Sequence, residues 1–96
     1  MAKSNEQTLK EAINEFLRSA GLDKKMKEVR LIDSWESVVG KMIAKHTKGI
    51  SIKNKTMFIT LDSSALRQEL TYSEEKIIKM LNDFAQEELI EKVVFK

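Results

Sequence analysis

The sharpest pattern in the chain lies at residues 50–62, ISIKNKTMFITLD. Ile50 and Ile52 alternate with Ser51 and Lys53, and Met57, Ile59 and Leu61 alternate with Thr56, Phe58 and Thr60. Alternation at every second position, in β-branched and aromatic residues, predicts two strands with one buried face. Asn54-Lys55 supplies the hairpin turn between them. A third alternation closes the chain at residues 89–95, LIEKVVF, where Val93 and Phe95 alternate with Lys92 and Val94. It predicts a third strand joining the hairpin.

The rest follows a helical period. Residues 1–5 are expected to fray. Leu9, Ala12, Ile13, Phe16, Leu17 and Ala20 then form one apolar stripe, ended by Gly21, and predict a packing helix. Asp23 is a good N-cap for a short helix near 24–31, with Met26 and Val29 inside and Lys24, Lys25, Lys27 and Arg30 outside. Asp33 and Glu36 suggest a fresh cap for a helix near 34–46, continuous or not with the one before. Its buried face is Trp35, Val38, Val39, Met42 and Ile43. Gly40 within it costs about 1 kcal/mol relative to Ala, which suggests close approach of the helix backbone to the sheet. Ser63 and Ser64 are capping residues for a long helix carrying Leu66, Leu70, Ile77, Leu81 and Phe84 on one face. Thr71-Tyr72-Ser73-Glu74 has capping-box spacing and marks a bend or restart. The predicted order is α-α-α-β-β-α-β, an α+β domain with a small three-stranded sheet and helices packed on one face. The expected core is Trp35, Val39, Met42, Ile43, Ile59, Leu61, Leu70, Ile77 and Leu81.

Ninety-six residues make one domain that needs no staples. The absence of cysteine excludes disulfides, thiolate metal sites and a Cys nucleophile, and fits a cytoplasmic protein. No apolar run approaches the roughly 20 residues that span a bilayer, and the N-terminus lacks a signal-peptide core. With one histidine, a conventional metal site is not expected, and no cofactor motif or Gly-rich phosphate loop occurs. Ser63 and Ser64 have no base nearby in sequence, and the acidic pairs Glu74-Glu75 and Glu87-Glu88 read as solvated helix surface. No enzyme is expected, and no small-molecule substrate.

Charge changes the picture more than composition does. The formal net charge is +2, but residues 1–55 carry 12 basic and 7 acidic residues, and residues 56–96 carry 5 and 8. Residues 41–55 hold five lysines and no acid. The asymmetry fits either a solvated surface or an anionic partner. Phe58 lies on the parity opposite to Met57, Ile59 and Leu61. It either packs against Val94 or a helix edge, or stands on an open face where bases stack and lysines track phosphates. The candidate nucleic-acid-binding set is Lys41, Lys45, His46, Lys48, Lys53, Lys55, Phe58 and Arg67, expected to converge at one edge of the sheet. Lys41, Lys45 and His46 equally suit a helix C-terminus, where cations are favoured.

Two ordered motifs carry a family resemblance. Trp35-Glu36-Ser37-Val38-Val39-Gly40 with Ile43-Ala44-Lys45-His46-Thr47 resembles a W-x-x-V-V-G…I-A-x-H-(S/T) core. Leu61-Asp62-Ser63-Ser64-Ala65-Leu66-Arg67-Gln68-Glu69-Leu70 is similar to V-D-S-S-A-W-x-Q-E-L, and Val93-Val94-Phe95 resumes the match. Together they resemble the DciA-type replicative-helicase operators over residues 31–95, with residues 1–30 as an N-terminal helical extension. The resemblance implies a KH-like domain that binds nucleic acid and helps engage or load the replicative DNA helicase. Its partners would be that helicase and single-stranded DNA, with RNA possible, and no membrane. Leu66 stands where many members carry Trp, no proline follows Thr47, and longer members carry a further segment after the position of Lys96. The Gly-x-x-Gly loop of nucleic-acid-binding KH domains is missing. Two alternatives accompany the adaptor reading: a stand-alone KH-like RNA-binding domain, and a helicase adaptor that touches protein only.

Overall fold

In the computed structural model the backbone is described for residues 2–96 and the side chains from Thr8 onward. The elements are α1 (Ala2–Ser19), α2 (Asp23–Asp33), α3 (Trp35–Val39), α4 (Lys41–Lys45), β1 (Thr47–Lys53), β2 (Thr56–Leu61), α5 (Ser64–Tyr72), α6 (Glu74–Ala85) and β3 (Lys92–Phe95). The expected α+β order holds, with two of the expected helices each divided in two. The sheet is mixed, in the order β1-β2-β3. β1 and β2 form the predicted hairpin, with Lys53 opposite Thr56, Ser51 opposite Phe58 and Ile50 opposite Ile59. Asn54 and Lys55 both have positive φ, 51° and 62°, the conformation a two-residue type I′ turn requires. β3 returns parallel to β2, with Val93 opposite Met57 and Val94 opposite Phe58. A parallel return needs a crossover, and α5 and α6 supply it.

The crossover ends in a loop held by side chains. Asn82 donates through Nδ2 to the Ile90 carbonyl at 2.9 Å and accepts from the Ile90 N–H at 2.9 Å. Leu89 and Ile90, expected in the strand, are buried just ahead of it. The ladder continues past β3, where the Lys96 N–H donates to the Ile59 carbonyl and the Lys96 carbonyl accepts from the Leu61 N–H.

The helices cover one face of the sheet, with Leu31, Trp35, Met57, Ile59, Leu61, Leu70, Ile77, Leu81, Leu89, Ile90 and Val93 as the buried cluster. Trp35 is 3% exposed. Its Nε1–H donates to Thr47 Oγ1 at 3.0 Å, and that hydroxyl donates to the Ile43 carbonyl at 2.8 Å. The tryptophan therefore meets both requirements of a buried indole, apolar contact and a partner for its N–H. Val38, Val39, Ile43 and Ala44 pack against the same cluster, half-buried.

Several expectations need correction. The helix near 34–46 is broken at Gly40, whose φ of +96° suits glycine alone. A Cβ there would meet nothing within 4 Å, so the residue serves the break and not a close approach to the sheet. The break turns Met42 away from the core, and it is 63% exposed. The long helix after Ser63 restarts at Glu74 without a capping box, because the Thr71 hydroxyl donates back to the Arg67 carbonyl at 2.8 Å, Ser73 makes no side-chain cap, and Glu74 Oε2 accepts from the Val93 N–H at 3.1 Å. Phe84, at the end of that helix, is exposed. Finally, the described part of α1 does not bury its apolar stripe. The molecule is 58 Å long and 25 by 21 Å across, and an 18-residue helix accounts for about 27 Å of that length. Leu9, Ile13 and Phe16 are exposed along it. Its helical backbone begins at Ala2, inside the stretch expected to fray, and Met1 lies outside the described residues.

Ser63 is the cap that the sequence predicts. Its backbone is extended and its hydroxyl accepts from the Leu66 N–H at 3.2 Å. Leu22 and Ser34, ahead of α2 and α3, make no such bond, so Asp23 and Asp33 are not caps.

These contacts set stability predictions for denaturant unfolding. Trp35→Ala should cost about 3–5 kcal/mol, Ser63→Ala about 0.5–2 kcal/mol, and Met42→Ser no more than about 0.5 kcal/mol. An unchanged midpoint for Trp35→Ala contradicts the core placement.

Candidate nucleic-acid interface

The strand pattern divides the sheet into two chemically different faces. Met57, Ile59, Leu61 and Val93 point into the core. The opposite parity presents Ser51 and Lys53 from β1, Thr56, Phe58 and Thr60 from β2, and Lys92 and Val94 from β3, with Lys96 one step further. Lys53, Lys92, Lys96, Ser51 and Thr60 are exposed; Thr56, Phe58 and Val94 are half-buried. The strand positions of this face carry no acid. Phe58 sits in the middle, between Ser51 and Val94 in the register. The Lys96 Nζ lies 5.4 Å from its ring centroid, within cation–π range. Phe58 thus satisfies both sequence readings: it neighbours Val94 and it remains open to solvent.

The eight sequence-predicted residues do not converge on one edge. Lys41 and Lys45 are exposed on α4, one turn apart on a shared face. His46 follows α4, and Lys48 lies at the irregularity where β1 leaves its regular pairing with β2. Arg67 is half-buried in the first turn of α5. Lys53 and Lys55 lie at the far end of the hairpin. Five residues of strand, about 17 Å, separate Lys48 from Lys53. Phe58 lies between the two groups.

Three of these residues already have acidic partners. His46 Nδ1 is 2.8 Å from Asp62 Oδ1, and Lys48 Nζ is 3.2 Å from Asp62 Oδ2. The backbone joins the same residues, since the Asp62 N–H donates to the His46 carbonyl at 3.0 Å. Lys55 Nζ is 3.6 Å from Glu91 Oε1, and the Lys55 carbonyl accepts from the Glu91 N–H at 2.8 Å. Among the described residues, Lys41, Lys45, Lys53 and Arg67 have no acidic partner.

The His46–Asp62 contact joins the two sequence motifs. One motif supplies the histidine, the other the aspartate, and the pair closes the exit of α4 against the exit of β2. In this light His46 and Lys48 are clasp residues. Sequence reasoning missed Lys92 and Lys96 as members of the open face. Their signal was present in the alternation Lys92-x-Val94-x-Lys96, opposite in parity to buried Val93. What could not be read was that β3 runs beside β2, which brings that alternation alongside Phe58.

Among the described residues, no helix is long and apolar enough to cross a membrane. No group of three or more His, Cys, Asp or Glu among them is placed to hold a metal ion.

The clasp makes stability depend on pH. The hydrogen bond from His46, and next that from Lys48, holds the Asp62 carboxyl below its ordinary value of 3.8. The folded state binds this proton less readily than the unfolded chain. The stabilisation is therefore complete above the ordinary value and is lost as pH falls through the depressed one. Thermal melts taken downward from neutral pH should show a steeper acid loss for the wild type than for Asp62→Asn, which has no such group to titrate. Parallel acid limbs for the two proteins would contradict the clasp.

The family profile described as "Dna[CI] antecedent, DciA" matches residues 8–95. A UPF0232 protein of Corynebacterium glutamicum (strain R) is 31% identical over 75 residues, which is 78% of this chain and 42% of that relative. The chain thus spans about two-fifths of the length of the curated relative it matches.

Proposed function

This chain belongs to the DciA family, a family of DNA-replication proteins, and on that premise we propose that it is a non-enzymatic adaptor of bacterial DNA replication. In this reading it acts in the cytoplasm, binds single-stranded nucleic acid on the open face of its sheet, and engages the replicative helicase. The observation that carries the reading is that face: Phe58 at its centre, Lys53, Lys92 and Lys96 around it, and no acid on its strand positions. Bases stack on an aromatic ring whatever their identity, and lysines beside it track the phosphates. Lys96 rests over the ring in the free protein, so a base that stacks there moves the ammonium aside, toward the phosphate that accompanies it. Lys41 and Lys45 on α4, and Arg67 on α5, are free cations that extend the path beyond the sheet.

A protein-only adaptor is favoured by a different observation. His46, Lys48 and Lys55, three of the residues first expected at phosphates, are paired to Asp62 and Glu91. A titration separates the two readings. Labelled single-stranded DNA and RNA at two salt concentrations should show micromolar or weaker binding with little sequence preference. The log–log salt slope should be about −2 if three lysines each meet one phosphate. Lys53→Ala or Lys92→Ala should lower that slope by about one contact. Phe58→Ala should weaken binding by about 1–3 kcal/mol and leave the slope unchanged, because stacking releases no counterions. Absence of binding at low salt favours the protein-only adaptor, and a preference for RNA with no helicase contact favours a stand-alone RNA-binding domain. Interferometry against the purified helicase of the same organism, with and without nucleotide, tests engagement directly. Complex formation is expected, and its absence in every condition contradicts that half of the proposal.

A further inference from the structure

The two edges of the sheet are treated differently by the fold. At the β3 edge, the outward N–H of Val93 is taken by Glu74, the inward N–H of Lys92 donates to the Lys55 carbonyl of the turn, and Lys96 pairs with Ile59 and Leu61 of β2. The β1 edge has no such cover. Leu61 donates its N–H to Lys96, so the groups of Met57, Ile59 and Leu61 face β3. Those of Thr56, Phe58 and Thr60 consequently face β1, where they meet Lys53, Ser51 and Gly49. The N–H and C=O groups of Ile50 and Ile52 point away from the sheet, unpaired among the described residues. Beside them a groove of about 230 Å³ runs between β1 and α2, with Val29, Ile32, Ile50 and Ile52 as its apolar lining and Lys25 and Glu28 on its rim.

We propose that this edge and groove accept an extended peptide segment of alternating apolar and acidic residues as a fourth strand. The unpaired groups of Ile50 and Ile52 alternate donor and acceptor at strand spacing, which a peptide backbone matches. A phosphodiester backbone offers acceptors only and would leave both carbonyls unpaired. Residues of the added strand on the core-side parity would enter the groove against Val29 and Ile32. Charge selects the segment: β1 carries Lys53, with Lys48 held by Asp62, and no acid, and the facing rim of α2 adds Lys25 against a single Glu28. A second copy of this chain paired edge to edge would set its lysines against these, whereas acidic residues on the exposed parity would meet Lys53, and Lys25 adds a positive charge at the rim of the groove. The inference goes beyond the nucleic-acid reading and does not depend on it, because the two share Lys53 alone, and Phe58 and the β3 lysines take no part.

The test is a nuclear magnetic resonance titration of the full chain with a short capped peptide of alternating valine and glutamate. Shifts are expected at the Ile50 and Ile52 amides and at the Val29 and Ile32 methyl groups. Val29→Lys places a charge in the groove and should weaken binding by about tenfold or more. Lys25→Glu should weaken it as well, and Phe58→Ala should leave it unchanged. The proposal is overturned if shifts fall elsewhere or nowhere, or if a valine–lysine peptide binds equally well. It is also overturned if sedimentation shows the free chain already paired through this edge, or if single-stranded DNA competes for the same amides.

Discussion

The structure depends on β2 being paired along both of its edges. Its odd-numbered residues from Met57 to Leu61 give their backbone groups to β3 and their side chains to the core. Its even-numbered residues from Thr56 to Thr60 give their backbone groups to β1 and their side chains to the open face. One alternation thus decides the ladder, the core and the candidate binding surface together. A one-residue slip would move Met57 and Ile59, both fully buried, into solvent and carry Phe58 inward. The chain resists such a slip at both ends of the strand. The Asn54-Lys55 turn holds positive φ at both positions, and Asp62 is tied to His46 by side chain and backbone.

The residues of the shared motifs read differently once placed. Trp35 is bonded to Thr47, His46 to Asp62, and Ser63 to the first turn of α5. The His46–Asp62 contact joins the segment before the hairpin to the segment after β2, the Trp35–Thr47 contact fastens the start of β1, and the Ser63 cap starts α5. They fasten the exits of the sheet and leave its open face to residues outside the two motifs, Phe58 and the lysines of β1 and β3. In this protein, then, the recognisable pattern builds the platform, and the proposed contact chemistry stands on less conspicuous positions.

Much of this was legible in the chain. Period-2 alternation located the hairpin, and Ser63 announced its helix by the ordinary chemistry of an N-cap. Helical spacing identified Trp35, Leu70, Ile77 and Leu81 as core. The failures share a cause, which is that local spacing does not report what an element packs against. The stripe on α1 has the spacing of a packing helix, yet Leu9 and Phe16 are exposed. Met42 keeps its place in the periodic pattern, but the backbone break at Gly40 turns it outward. Lysines clustered in sequence were expected to cluster in space, whereas a strand spreads its residues at about 3.4 Å each and sets Lys48 and Lys53 at opposite ends. Lys92 and Lys96, distant in sequence, arrive beside Phe58 only because β3 runs parallel to β2.

The account stands or falls on the open face of the sheet. Ultraviolet crosslinking of a single-stranded oligothymidylate to the intact protein, followed by mass-spectrometric mapping, reports directly which side chains lie against a base. The account predicts the principal adduct on Phe58, within the β2 segment, lost in Phe58→Ala and reduced at high salt. Adducts confined to α4 or α5, with none on β2, would contradict it.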